Sequence, residues 1–302
     1  MAEQDPSAVA RFMDLTDPRY AYMFGFLQAD GHLAQGTGRK GKLTAEINAR
    51  DIHILREFQQ LTPYFSSITE RVRSTNFAAH AHSATWSVCS LEARTIVNEL
   101  GIPYGKKSLT IKPPRTDFSR TDYLRGIIDA DGSLGWTAQG FPFLALTSAS
   151  TAIAAYLCHY GKKVTGTART ISRNARDGVY NVCYYKETAQ QLAAHFYYDG
   201  CLALAHKRAN AEAIQAWIRP ATMRVAPPRR RWTPEDDEAL LRLNDPAGAA
   251  VALDRTEQSC AMRLWRLRTG KAQKARRRGP ARSRRPGRAP PFPRHPRPGL
   301  SP

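Results

Sequence analysis

Two nine-residue stretches, mostly apolar until each ends in Asp-Gly, set the pattern of the chain: MFGFLQADG at residues 23–31 and LRGIIDADG at residues 124–132. In each, a Gly and an Ala stand four apart (Gly25 and Ala29; Gly126 and Ala130), which on a helix puts both on one face. Such a stripe lets another backbone come close. The closing Gly is a natural helix stop. The aspartates before it, Asp30 and Asp131, are the odd residues, since a carboxylate at a helix C-terminus faces the negative end of the dipole. Two helices packed along their small faces would bring these carboxylates together, and the pair would repel unless a cation sat between them. Either copy alone also reads as a tight hairpin turn or as ordinary core packing. Repetition points to a duplicated structural unit.

The same order of elements follows each copy. KLTAEINARDIHILREF is a strand leading into a helix, and so is FPFLALTSASTAIAAYL. Each half then has two further strand-like runs (68–73 and 85–89; 164–171 and 179–184) and a closing helix. In residues 42–48 the alternation is clean, with Leu43, Ala45 and Ile47 on one face and Lys42, Thr44, Glu46 and Asn48 on the other. Thr69, Arg71 and Arg73 share a face of the next run. A sheet with one buried and one polar face suits a nucleic-acid groove, and Arg71 and Arg73 suit phosphate or guanine; a merely solvated face would look the same. The second half offers Thr165, Thr167, Arg169, Arg173, Arg176 and Asn181 by a noisier alternation.

The two nonapeptides resemble the paired signature of LAGLIDADG homing endonucleases in their single-chain form, over roughly residues 20–217. The second copy departs from the consensus at Arg125. The first departs at Met23, Phe24, Phe26, Leu27 and Gln28, all but the last remaining apolar. The resemblance implies an α+β fold of two pseudo-symmetric αββαββα halves forming a DNA-binding saddle. It makes Asp30 and Asp131 the metal-binding acids at the eighth motif position, with Mg²⁺ as cofactor and Mn²⁺ able to substitute. It also implies a lysine near the attacking water. Lys106 and Lys107 lie in the connection between halves, where a lysine could equally touch phosphate, and Lys207 is the second-half counterpart of Lys107. His195 and His206 stand alone, without metal-ligand spacing.

Charge widens the picture. The chain has 302 residues, a net charge of +19 and a sequence pI near 10.1, which points to nucleic acid as partner. Its five cysteines have no paired spacing and read as free thiols of a reducing compartment. No secretory signal or membrane span is visible, so an intracellular location, cytoplasmic or nucleoid-associated, is expected.

The boundaries are a lead-in at 1–19, a first half at 20–117, a second half at 118–218 and a Pro/Arg-rich linker at 219–231. Residues 232–268 then predict three short helices. Thr233 caps the first with Pro234 behind it, and Thr256 caps the third. With Trp232 and Trp265 they resemble a Myb/SANT-type helix-turn-helix, whose third helix, here carrying Arg263 and Arg266, would enter the major groove; a small helical appendage for protein contacts is the other reading. Residues 269–302 hold eleven Lys or Arg, eight Pro and no acid, a composition that cannot bury enough apolar surface to order itself.

Together these features predict a monomeric, site-specific endonuclease acting on double-stranded DNA. Asp30, Asp131, Lys107 and Lys207 form its catalytic set. Lys42, Thr44, Glu46, Arg71, Arg73, Arg169, Arg173, Asn181, Arg263 and Arg266 contact DNA. A DNA-binding regulator on the same scaffold and an intron RNA maturase are the rival readings, and retention of both acids argues against the first.

Overall fold

The computed structural model describes residues 6–74, 80–221, 223 and 231–270. Most of the predicted linker, the start of the lead-in and nearly all of the basic tail lie outside them. The chain divides into two compact units, Met1–Ala221 and Thr222–Pro302.

In the first unit a short helix α1 (Pro6–Arg11) precedes α2 (Pro18–Asp30). Asp17 caps α2 by accepting from the Arg19 backbone N–H at 2.8 Å, and Pro18 fills its first position. Every residue from 20 to 28 is buried. A helix buried all round lies at the centre of its unit. Next come β1 (His32–Leu33), β2 (Leu43–Asn48), α3 (Ile52–Leu61), β3 (Ser66–Arg73), β4 (Ala81–Val88) and α4 (Leu91–Glu99). The strands form one antiparallel sheet in the order β1-β2-β4-β3. Its apolar face, with Leu43, Ala45, Ala84, Trp86 and Val88, is buried in the core shared with α3. The register collects His32, Thr44, Glu46, Asn48, Ser83, Thr85, Ser87, Ser67, Thr69, Arg71 and Arg73 on the other face.

The second half begins with α5 (Arg120–Asp131), buried from 122 to 129. It continues through β5 (Gly132–Trp136), β6 (Pro142–Ser148), α6 (Thr151–Thr165), β7 (Tyr180–Tyr185), α7 (Glu187–Phe196) and α8 (Ala205–Gln215). Its antiparallel sheet has three strands, β5-β6-β7. The strand predicted at 164–171 is absent. Helix α6 runs on to Thr165, with Lys162 and Lys163 favourably placed in its last turn, and Gly166 ends it in a left-handed conformation at φ 71°. Only an isolated bridge from Arg173 to Tyr180 marks where that strand would pair. The fold is thus α+β with two related halves, the second one strand short.

The halves meet along α2 and α5. A Cβ at Gly25 would stand 2.2 Å from the Tyr123 carbonyl oxygen, and one at Gly126 would stand 2.2 Å from that of Tyr22. Backbone lies against backbone, as the small-residue stripe predicts.

The second unit has α9 (Pro234–Leu243), α10 (Pro246–Ala252) and α11 (Glu257–Arg268). Thr233 and Asp236 form a reciprocal capping box, and Thr256 caps α11. Leu240, Ala249, Cys260 and Leu264 make a small core, with Trp232 packed on it. Trp265, the other tryptophan of this unit, is 47% exposed.

Because the obstruction at Gly126 is main chain, Gly126→Ala should force the two helices apart. The expected loss is about 3 kcal/mol, measured as a lower urea midpoint with an unchanged slope.

Candidate active site

The close crossing of α2 and α5 sets their C-terminal ends side by side, and each ends on its aspartate. Asp30 and Asp131 keep solvent-exposed surface, yet their surroundings are crowded enough to strip away much of their hydration. Desolvation raises the Asp30 pKa above the ordinary carboxylate range, while Lys107 and Lys207 pull it down. Desolvation and then the Asp30 charge push Asp131 up to about 6, against the same two lysines. The repulsion belongs to the pair, and Asp131 is the member that holds its proton longer.

The two lysines are buried at the helix ends. Lys107 Nζ donates to the Gln28 carbonyl at 2.7 Å and to the Ala29 carbonyl. Lys207 Nζ donates to the carbonyls of Ile128 (2.7 Å), Asp129 (2.5 Å) and Gly132 (2.9 Å). Each ammonium sits on carbonyls at the C-terminal end of one motif helix, where the dipole is negative; the Ile128 carbonyl also accepts the Gly132 N–H. Burial lowers both lysine pKa values, and the nearby carboxylates counter it: Asp131 and Asp30 for Lys107, with Asp129 first among those acting on Lys207. Lys106, by contrast, is exposed. The matched placement is legible in spacing, since Lys107 follows Asp30 by 77 residues and Lys207 follows Asp131 by 76.

Beneath the aspartates lies a layer that the sequence reading missed. The sixth motif positions, Gln28 and Asp129, are buried, and each receives a tyrosine from the opposite helix. Tyr22 donates to Asp129 Oδ2 at 2.7 Å, and Tyr123 donates to Gln28 Oε1 at 2.5 Å. Asp129 also accepts from the Tyr197 hydroxyl at 2.6 Å and the Leu204 N–H at 2.8 Å. Gln28 Nε2 donates to the carbonyls of Gly101 (3.1 Å) and Lys112 (2.9 Å). One signal was there to be read: a Tyr immediately precedes both nonapeptides, so the repeat is a residue longer than the motif.

Arg125, the departure in the second copy, is fully buried. It bonds the carbonyls of Leu202 (2.7 Å) and Phe196 (2.9 Å) and pairs with Asp122 at 2.5 Å. Its guanidinium also lies over the rings of Tyr22 and Tyr198. It anchors α5 to the segment that leads into α8.

The remaining candidates lie away from this centre. Lys42 is exposed just before β2, and Thr44, Glu46, Arg71 and Arg73 share the polar face of the first sheet. Arg73 pairs with Glu46 at 3.0 Å. In the second half Asn181 accepts from the Thr147 hydroxyl at 2.8 Å on the outward face of β7. Arg169 and Arg173 lie over the Tyr184 and Tyr180 rings, and Thr165 and Thr167 belong to the end of α6 and the loop beyond it. Arg176 is exposed beside Asp177. His195 bonds Tyr160 and Thr121, while His206 bonds Asp51. In the second unit Arg263 forms a bidentate pair with Asp237 at 2.7 and 2.6 Å, and Arg266 is exposed.

Among the described residues no cluster of three or more His, Cys, Asp or Glu could enclose a metal ion, and no helix is long and apolar enough to cross a membrane. Two desolvated, mutually repelling carboxylates nonetheless suit a hard divalent cation. Mg²⁺ in particular is commonly held by one or two carboxylates, its other positions going to water and phosphate oxygens. The two ammoniums already balance the carboxylates, so the protein's own groups leave no excess negative charge to cage such an ion.

No family model matches the sequence, and no curated protein matches it. Solved structures do. The meganuclease I-SmaMI bound to uncleaveable DNA with a TTCT central four is similar at 12% identity, over 66% of this chain and 89% of that one, with a TM-score of 0.44. I-SmaMI is described as a LAGLIDADG homing endonuclease. The homing endonuclease I-WcaI bound to its DNA recognition sequence is similar at 12% identity, over 69% and 94% of the two chains, with a TM-score of 0.44. I-SmaMI bound to an uncleaved DNA target in the presence of calcium ions gives 12%, 62% and 86%, with a TM-score of 0.42.

The raised pKa of Asp131 has a signed consequence for stability. Between its ordinary value of 3.8 and about 6 the folded protein holds the extra proton, so stability falls as pH rises through that window and stays lower above it. Asp131→Asn should therefore leave the melting temperature unchanged near pH 3.5 and raise it at pH 8 in EDTA. Solvent access limits the gain to about 1 kcal/mol. A divalent cation should close the gap.

Proposed function

We propose that this chain is a site-specific DNA endonuclease that hydrolyses one phosphodiester on each strand. The observation that carries this reading is the pair of helix C-termini, each with one aspartate and one buried lysine, brought within electrostatic reach of each other. Asp30 and Asp131 would hold Mg²⁺, which when bound lowers the pKa of a water and offsets charge at the scissile phosphate. Each carboxylate addresses one strand. Lys107 and Lys207, fixed at the negative helix ends, place positive charge beside the reacting phosphate. Lys107, with two of its three N–H donors on carbonyls, keeps one to orient the water, while Lys207 acts through its charge. Two site acids opposed by two site lysines leave the centre near neutral, so a phosphodiester and its cation can enter together.

The polar face of the first sheet supplies Arg71, Arg73 and a row of hydroxyls for groove contacts. Asn181 and Thr147 do so from the second. Helix α11 presents Arg266 to the major groove, and the basic segment beyond residue 268 adds sequence-independent affinity for phosphate.

The decisive experiment is cleavage of duplex DNA carrying a selected site. Cleavage should require Mg²⁺ or Mn²⁺ and stop in EDTA. Asp30→Asn or Asp131→Asn should each slow double-strand cleavage at least about 10²-fold while binding persists. A wild type that binds its site tightly and never cuts would make the chain a regulator, and specific folding of an intron RNA would make it a maturase. Deleting residues 222–302 should weaken binding and flatten its salt dependence, because eleven of the chain's Lys and Arg lie between 269 and 302. The scissile phosphates should stay the same.

A further inference from the structure

The two active-site lysines come from segments far from the motif helices in sequence, and nothing about a lysine near a helix end makes it stay there. A long, flexible, strongly hydrated side chain is fixed only if both its ammonium and the backbone that carries it are held. The sixth motif position supplies both grips in each half, by opposite chemistry.

In the first half the main-chain carbonyl of Gln28 accepts from Lys107 Nζ. The side-chain amide of the same residue donates to Gly101 O and Lys112 O, on either side of Lys107 in the connection between α4 and α5. In the second half the main-chain carbonyl of Asp129 accepts from Lys207 Nζ. Its carboxylate accepts from the N–H of Leu204, the N-cap of α8 three positions before Lys207, and from the hydroxyl of Tyr197, the C-cap of α7. One residue therefore holds the lysine by its backbone and the lysine-bearing segment by its side chain. Gln28 grips carbonyls and must donate; Asp129 grips an N–H and hydroxyls and must accept. A carboxylate at 28 would face two carbonyl oxygens with no donor to offer. The two rotamers are set by the crossed tyrosines, Tyr123 on Gln28 and Tyr22 on Asp129.

We propose that Gln28 and Asp129 are positioning residues, each setting the lysine of its own half, Lys107 and Lys207 respectively. This rests on the endonuclease reading for its kinetic consequence but not for its structural one. It makes the departure from the motif consensus at Gln28 a requirement of the segment it holds. It also makes the two strands separately sensitive, since each grip serves one lysine.

The test uses the full chain and two readouts. Hydrogen exchange on the free protein should show Gln28→Glu loosening residues 101–112 and leaving 201–208 protected, with Asp129→Leu doing the reverse. Asp129→Asn, which keeps an acceptor for the Leu204 N–H, should retain protection at 201–208. Strand-resolved single-turnover cleavage should show Gln28→Glu slowing one strand and Asp129→Leu the other, each by about 10²-fold as expected for a misplaced catalytic group, with little change in DNA affinity. Asp129→Asn should restore most of the rate. If Asp129→Leu fails to fold, Tyr22→Phe and Tyr197→Phe each remove one hydroxyl from Asp129 and should give its strand preference at smaller amplitude, while Tyr123→Phe should give that of Gln28→Glu. Equal slowing of both strands, or exchange spreading through the whole unit, would overturn the positioning assignment. A wild type that cuts neither strand would instead sink the endonuclease reading, and the exchange pattern would still decide whether each residue holds its segment.

Discussion

The rest of the structure depends on how closely α2 and α5 approach. At Gly25 and Gly126 each helix lies where the other's Cβ would have to be, so the crossing point is fixed by main chain and cannot drift as a contact between long side chains would. A crossing fixed at the fifth residue before Asp30 and the fifth before Asp131 fixes the ends as well. Sliding one helix by a single turn would shift its aspartate by about 5.4 Å and break both crossed tyrosine bonds. The site's geometry is therefore inherited from packing several residues away from it.

That packing creates an electrostatic cost which the site then uses. Two carboxylates at the negative ends of two helices, partly stripped of water, are poorly placed without cations, and the raised pKa of Asp131 reports it. Lys107 and Lys207 relieve the cost through the helix carbonyls, without forming direct ion pairs with Asp30 or Asp131 among the described salt bridges. The distinction matters chemically. A lysine clasped to the carboxylate would occupy the oxygens that a metal or a water needs. A lysine clasped to the carbonyls leaves those oxygens open and keeps its charge close by.

Much of this was legible in the sequence. The small-residue stripe, the Asp-Gly ends and the strict alternation of residues 42–48 each leave a periodic trace that one window of sequence contains. So do the caps at Thr233 and Thr256. The strand expected at 164–171 failed because a polar run after an amphipathic helix fits either continuation, and α6 had favourable lysines and a Gly stop available at 166. Arg125 stood in the sequence only as a departure from the motif, because its partners, the carbonyls of Leu202 and Phe196, are more than seventy residues away. Arg263, expected to contact DNA, has its guanidinium held by Asp237 on α9, a partner that spacing along α11 does not reveal. For the two arginines the missing information was a partner distant in sequence, which no local pattern encodes.

The repeat itself is most informative where it breaks. The halves differ in strand number, in the motif residues at 28 and 129, and in how each holds its lysine segment, yet both finish with an aspartate exposed and an ammonium on the last carbonyls. What both retain are the features that act at the centre: glycines at the crossing, tyrosines before the motif, acids at the ends and lysines upon them. What differs lies one layer out, where a donor grip and an acceptor grip reach the same position. An amide suits a segment that offers carbonyls, and a carboxylate suits one that offers an N–H. The residue at the sixth motif position is thus dictated by which backbone groups its segment turns inward, and a substitution there is tolerable only if the segment turns with it.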